Sequence, residues 1–325
     1  MPNKTTKEEI LEEDKAEEKR LKENKAPVEK LAKEEAVEEG EESQAPSKEE
    51  EFNQILAALK ENISRLEEEI VKLKKENRRI SKVAEQGIGE KIPVLMYHHL
   101  YNGNLKESPF KNNSAVISVD MFKEQMKYLH DNGFYTATLE ELERFLNKEI
   151  PLPKKTVVIT FDDGYYSNIE YAYPILKKYG FKATIFVVGN KAKNASKDHN
   201  LKTGTLRGLS YEDMNKTSDV FDFQSHTYDK HHRIDNRAAL LTLTKEEMLE
   251  DFTSIKEELN TRYFAYPFGA YNGTVIEALK ETGHALAFTI KSGYVTVNSP
   301  KYELPRFTIS PLTSLEKFKN IVNQK

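Results

Sequence analysis

The chain has 325 residues, with 49 Lys and Arg against 53 Asp and Glu, and contains neither Cys nor Trp. Without Cys there is no disulfide scaffold, Cys-ligated zinc site, iron–sulfur cluster or thiol nucleophile, so any metal must be held by His, Asp or Glu. A net charge of −4 argues against a dedicated nucleic-acid binder, and apolar runs no longer than about five residues are too short to span a bilayer.

Residues 1–20 are acidic and lack the apolar core of a signal peptide. Residues 1–50 carry 17 acidic and 10 basic side chains and no aromatic one. They cannot bury enough surface to offset their ordering entropy and read as a disordered charged tail. Over 51–83 the pattern changes: Phe52, Leu56, Leu59, Ile63, Leu66, Ile70, Leu73 and Ile80 recur at alternating steps of four and three, with Asn77 in the one polar slot. Leu56, Ile63, Ile70 and Asn77 take the a positions of a heptad; Phe52, Leu59, Leu66, Leu73 and Ile80 take d. Ile at a with Leu at d favours parallel dimers, and Asn at a fixes register. The segment reads as a coiled-coil helix that could join two copies; the alternative is a single amphipathic helix lying on the next domain. Residues 84–90, with Gly87 and Gly89, read as a linker.

From Lys91 to the end at Lys325, short runs rich in β-branched and aromatic residues alternate with helical text. The expected strands are 92–98, 156–161, 183–188, 220–226, 263–268, 286–290 and 304–309. The expected helices include 118–132, 167–179, 244–260 and 271–282. Thr138 with Glu141, and Ser167 with Glu170, have capping-box spacing. This alternation predicts an α/β domain, either a (β/α) barrel or an open parallel sheet.

Three stretches concentrate chemistry, each at the C-terminal end of an expected strand, where barrel enzymes place their sites. The first is Thr160-Phe161-Asp162-Asp163-Gly164. Adjacent carboxylates at the end of a buried strand resist joint ionisation; a metal would relieve that cost, leaving one as ligand and one as base. The bland alternative is a pair of solvated aspartates before a helix, where the helix dipole favours negative charge. The second stretch, Ser225-His226-Thr227-Tyr228-Asp229-Lys230-His231-His232, holds three of the eight histidines. Neutral imidazole is the commonest metal ligand, and His226 can pair with His231 or His232, since charged Lys230 cannot ligate. The third is Tyr263-Phe264-Ala265-Tyr266-Pro267-Phe268-Gly269, which alone reads as an ordinary core strand ending in a turn.

Together these residues resemble the polysaccharide deacetylase family, the NodB-homology or carbohydrate esterase family 4 enzymes, over roughly residues 91–310. The resemblance implies a distorted (β/α) barrel of the NodB-homology type as the catalytic domain. Thr160–Gly164 is similar to the family's first motif, which implies Asp162 as general base and Asp163 as metal ligand. His226 with Thr227 resembles the second motif. His231, five residues on, resembles the branch acting on exopolysaccharides such as poly-N-acetylglucosamine, as does the opening strand Ile92–His98. Tyr266–Gly269 is similar to the third motif, in which the Phe268 N–H would serve the oxyanion. There are departures. Ala265 stands where the family's base-orienting Arg is usual; the Trp-containing fourth motif is missing, and so is the fifth, which supplies a general acid. Leu129-His130-Asp131 imitates that fifth motif in the wrong part of the chain. His98 is the candidate replacement acid, His284 reads as structural, and Arg306 is the candidate stand-in for the missing Arg.

The resemblance implies metal-dependent hydrolysis of N-acetyl groups on an N-acetylglucosamine-containing polysaccharide, an exopolysaccharide or peptidoglycan. It implies a divalent ion, zinc first and nickel, cobalt or manganese as alternatives, held by Asp163, His226 and His231. A glycan substrate places the protein outside the cell or at the cell surface, in association with the wall or membrane, with the cytoplasm the other location left open. Two further readings are a non-catalytic glycan-binding or scaffolding protein whose function lies in the coiled coil, and a small-molecule amide hydrolase on the same scaffold.

Overall fold

The computed structural model describes residues 47–195 and 206–325. Most of the acidic tail, residues 1–46, therefore lies outside the described residues. The chain divides into two compact units at Lys74–Lys75. A single helix, Lys48–Gln86, contributes its first part to one unit and its last residues to the other. It ends at Gly87, whose φ of +81° suits the left-handed position that commonly terminates helices. No described helix is long and apolar enough to cross a membrane.

In the larger unit the strands are β1 (Ile92–Tyr97), β2 (His99–Tyr101), β3 (Val116–Ser118), β4 (Tyr135–Thr136), β5 (Thr156–Phe161), β6 (Ala183–Val187) and β7 (Phe221–Ser225). They continue as β8 (Arg233–Ile234), β9 (Arg237–Ala238), β10 (Tyr263–Ala265), β11 (Leu286–Phe288), β12 (Tyr294–Val295) and β13 (Phe307–Thr308). The main sheet runs β11-β10-β7-β6-β5-β1-β12, with every pair but β1–β12 parallel. All residues of β1 and β5 are buried, as expected for parallel strands covered on both faces. Their side chains alternate between two cores. Val94, Val158 and Phe186 join one, which includes the helix Leu139–Leu146. Leu95, Ile159 and Ile185 join the other, with Phe122, Met126 and Leu176 from the surrounding helices.

Residues 304–308 draw the two ends of the curled parallel sheet together. Leu304 forms a parallel bridge with Phe288 at one edge, and Phe307 pairs with Leu95 of β1 at the other. The distorted barrel thus closes through one short segment with a single foothold on β11. Arg306 lies in the middle of it.

The capping box expected at Thr138–Glu141 is formed. That at Ser167–Glu170 is not: Ser167 makes no side-chain cap, and the expected helix starts as a π turn, Asn168–Ala172, before Tyr173–Lys178. The Ser167 hydroxyl is engaged instead by His99 and the Leu100 N–H. Residues 84–90 are not a free linker. The helix extends to Gln86, the Gly89 N–H bonds the Leu152 carbonyl at 2.8 Å, and a Cβ at Gly89 would meet the Pro153 carbonyl oxygen at 2.7 Å. Arg79 is buried and donates to the Pro151 carbonyl at 2.8 Å. Helical periodicity identified an element here, but not what its end packs against.

Candidate metal centre

β5 ends in the acidic pair. The Asp162 N–H bonds the Tyr97 carbonyl at 2.9 Å, continuing the β1–β5 ladder one step, and the next residue, Asp163, turns out with φ 73°. Thr227, after His226, has φ 73°, and Phe268 in the third stretch has φ 57°. Each motif therefore holds a non-glycine residue in the left-handed region, a strain that proteins keep mainly at functional sites.

The turns bring Asp163, His226 and His231 together, with donor atoms all within 4.8 Å of one another. Asp163 Oδ1 lies 2.9 Å from His231 Nε2 and 3.4 Å from His226 Nε2. Of the two open partners for His226, His231 is the one that faces it; His232 is exposed. His226 Nδ1 donates to the Ala265 carbonyl at 2.7 Å, which fixes the tautomer and leaves Nε2 with its lone pair toward Asp163. Ala265 thus serves the site through its backbone. Burial lowers the His226 pKa, against the pull of Asp163, and favours the neutral ligand form. Burial alone would raise the Asp163 carboxyl, but the imidazoles of His226 and His231 beside it lower it more and hold it well below the usual carboxylate range. Donors bound about 2 Å from an ion at tetrahedral angles lie roughly 3–3.5 Å apart, so one carboxylate and two imidazoles spaced this way fit a divalent cation.

Asp162 points elsewhere. Arg306 donates to both its oxygens at 2.7 Å, and also to the Thr289 carbonyl at 2.9 Å. Burial pushes the Asp162 carboxyl up, but the guanidinium more than offsets this and keeps it ionised. The structure therefore seats Arg306 beside the acidic pair, supplying a guanidinium where Ala265 has none. Two adjacent aspartates are accommodated by giving one an arginine and the other two histidines.

His98, just past β1, contributes to the electrostatic field at both Asp162 and Asp163. Its Nδ1 is buried without a hydrogen-bond partner among the described residues, and Asn168 Nδ2 holds its main-chain carbonyl at 2.7 Å. The Phe268 ring lies 4.6 Å from the His231 ring, with the Arg233 guanidinium 4.6 Å from its centre. His284 is away from this group, buried beside Phe252 and Phe264 with Nδ1 2.9 Å from Thr282 Oγ1, a structural histidine as expected. His130 is likewise uninvolved, pairing with Asp131.

Two contributors went unnoticed in the sequence. The Tyr165 hydroxyl faces Asp163; burial first, then that carboxylate, raises the phenol's pKa. Asp251, in the helix Lys245–Leu259, accepts the Tyr228 and Asp229 N–H groups at 2.9 Å each and so braces the loop joining the two histidines. Tyr165 follows the acidic motif closely enough to have been suspected; nothing local marks Asp251.

The family model described as polysaccharide deacetylase matches residues 149–287. A Bacillus subtilis protein described as putative polysaccharide deacetylase YxkH is 32% identical over 227 residues, covering 68% of this chain and 72% of that one. A poly-beta-1,6-N-acetyl-D-glucosamine N-deacetylase of Staphylococcus epidermidis is 30% identical over 250 residues, covering 75% and 83%. Among solved structures, the Streptococcus pyogenes deacetylase PplD in complex with acetate aligns with a TM-score of 0.61 at 28% identity, covering 71% of this chain and 98% of that one. IcaB from Ammonifex degensii aligns with a TM-score of 0.59 at 28% identity, covering 73% and 98%.

Proposed function

The chain belongs to the polysaccharide deacetylase family, and on that footing we propose that it hydrolyses the N-acetyl groups of a poly-N-acetylglucosamine-type polysaccharide at the cell surface. The observation that carries the reading is the separation of the acidic pair: Asp163 faces His226 and His231, while Asp162 is held by Arg306. The substrate class is supported by the N-deacetylase relative and by the five-residue spacing of His226 and His231.

Asp163, His226 and His231 would hold the divalent ion, with zinc the first choice for one carboxylate and two imidazoles. When bound, such an ion supplies Lewis acidity to an acyl carbonyl and to water. The chain's own groups do the rest. Asp162 takes a proton from the water that attacks the acetamide carbon. An ionised carboxylate has about four lone-pair sites, so both oxygens keep acceptor capacity beside Arg306. The Phe268 N–H donates to the developing oxyanion, a role for which the residue's left-handed backbone is held by the turn bonds Gly269 N–H to Tyr266 and Ala270 N–H to Pro267. His98 returns a proton to the nitrogen as the C–N bond breaks, giving acetate and a free amine.

The test is acetate release from N-acetylglucosamine oligomers by the full chain, with and without a chelator. Release that stops on chelation, returns with zinc and is lost in Asp163→Ala supports the reading. Release that survives chelation or that substitution overturns the mechanism. Turnover of small N-acyl compounds alone would favour the amide-hydrolase reading.

A further inference from the structure

The seam of the long helix is uncovered. Phe52, Leu59, Ile63, Leu66, Ile70, Leu73 and Ile80 are each between 41% and 56% exposed. A helix with such a stripe ordinarily buries it. From Lys75 on, where the helix belongs to the larger unit, it docks by another face. Within that unit, Lys75 bonds Thr138, Arg79 bonds Pro151, and Gln86 bonds the Gly133 carbonyl. At about 100° per residue, these three docking residues cluster on the side of the helix opposite Asn77 and Ile80. Docking is polar and anchors one face; the apolar seam is held on the other.

We propose that the seam is covered by the same seam of a second copy, in a parallel, in-register homodimeric coiled coil over 52–80. This inference does not depend on the deacetylase reading. Asn77 chooses the occupant. Its exposed amide lies in an otherwise apolar row, and only a parallel copy in register sets it against another Asn77, where the two amides can bond each other. An unrelated apolar face, or the same helix run antiparallel, would bury that amide against hydrocarbon. The flanking charges agree. In this register Glu69 at g lies across from Lys74 at e of the second copy, and no like-charged g–e pair arises along the seam.

Two measurements on the full chain test this. Light scattering at micromolar concentration should give twice the 37.5 kDa chain mass, falling to one chain mass in Leu66→Glu with the far-ultraviolet spectrum of the catalytic domain retained. Since the natural chain has no Cys, Leu59→Cys supplies a single thiol at a d position. Mild oxidation should link two chains through it, whereas Glu61→Cys, on the outer face, should link far less. A monomer at all concentrations, a trimer, or equal linking by the two Cys variants would overturn the proposal.

Discussion

Arg306 grips Asp162 through two hydrogen bonds of 2.7 Å, one to each carboxylate oxygen, with both side chains buried. Such a pair adds little net stability, because desolvation offsets the attraction, but removing one partner strands a buried charge at a cost of about 3–5 kcal/mol. Arg306→Met is therefore expected to lower the urea midpoint substantially and to cut kcat by 100-fold or more, the order seen when a preorganised catalytic group is lost. The double variant Arg306→Met with Asp162→Asn should recover much of the stability and none of the activity. Arg306→Lys, a single ammonium in place of a fork, should fall between wild type and Met. Wild-type kcat in Arg306→Met would remove Arg306 from the catalytic account.

Ser167 secures the chain just after His98. Its Oγ is 2.8 Å from His99 Nδ1 and 3.1 Å from the Leu100 nitrogen, and all are buried. Ser167→Ala leaves the Leu100 N–H without an acceptor, a penalty of about 1–3 kcal/mol. His98 immediately precedes this staple, so kcat should fall while zinc affinity is unchanged. Thermal melting, kcat and a zinc-binding titration on one variant separate these effects; an unchanged kcat would show that the staple does not position His98.

The parallel strands β1, β5 and β6 are legible because each is a run buried on both faces, and Thr156–Phe161 has the bounds its sequence predicts; β7, with Asp222 exposed, is a weaker signal. The barrel's closure was harder to see. It depends on a two-residue strand and one bridge, too short for periodicity to register. The grouping of Asp163, His226 and His231 is legible from residue type and spacing. Arg306 could only be a candidate, since nothing local ties an arginine to a carboxylate 144 residues away. Ser167 departs from the expected capping box because its hydroxyl is not free: His99 and the Leu100 N–H engage it. The service Ala265 gives His226 is a carbonyl's, which residue type does not encode. The docking face of the long helix is polar, and hydrophobic periodicity marks only apolar faces.

Burial lowers the pKa of His99 to about 4 and, with help from Lys256, that of His284 to about 3. Both are therefore neutral in the folded chain where an unfolded histidine, titrating near 6.5, takes up a proton. Neither costs anything above that pH. As pH falls from about 6.5 toward 4, the unfolded state binds protons that the folded state cannot, and each histidine subtracts stability at up to about 1.4 kcal/mol per pH unit. Urea unfolding of wild type and His284→Gln at pH 7 and pH 5 isolates one of them, the other groups cancelling in the difference. The variant should gain about 2 kcal/mol on the wild type between the two pH values. A difference that does not move with pH would mean that His284 is charged, or solvated, in the folded protein.

Asp251 braces the loop between His226 and His231 by accepting the Tyr228 and Asp229 N–H groups. His226 is fixed independently, by the Ala265 carbonyl and by its own N–H to Val187 at 2.9 Å. Among the described residues His231 has no such backbone anchor; it depends on the loop 227–230, which turns through Thr227 at φ 73° and is held by the Lys230 N–H donating to Thr227 Oγ1 at 3.1 Å and by the two N–H groups that Asp251 accepts. Asp251→Ala removes both acceptors at once and frees His231 relative to His226. Zinc affinity, read by competition with a chromophoric chelator, should fall about 10–100-fold, the range found for groups that orient metal ligands. Activity should return when zinc is raised to saturation, because Asp162, Arg306 and His98 are unaffected. Asp251→Asn keeps one acceptor oxygen and should lie between the two. Lost activity that excess zinc does not restore would instead assign Asp251 to the stability of the fold, and unchanged zinc affinity in Asp251→Ala would show that His231 is positioned without it.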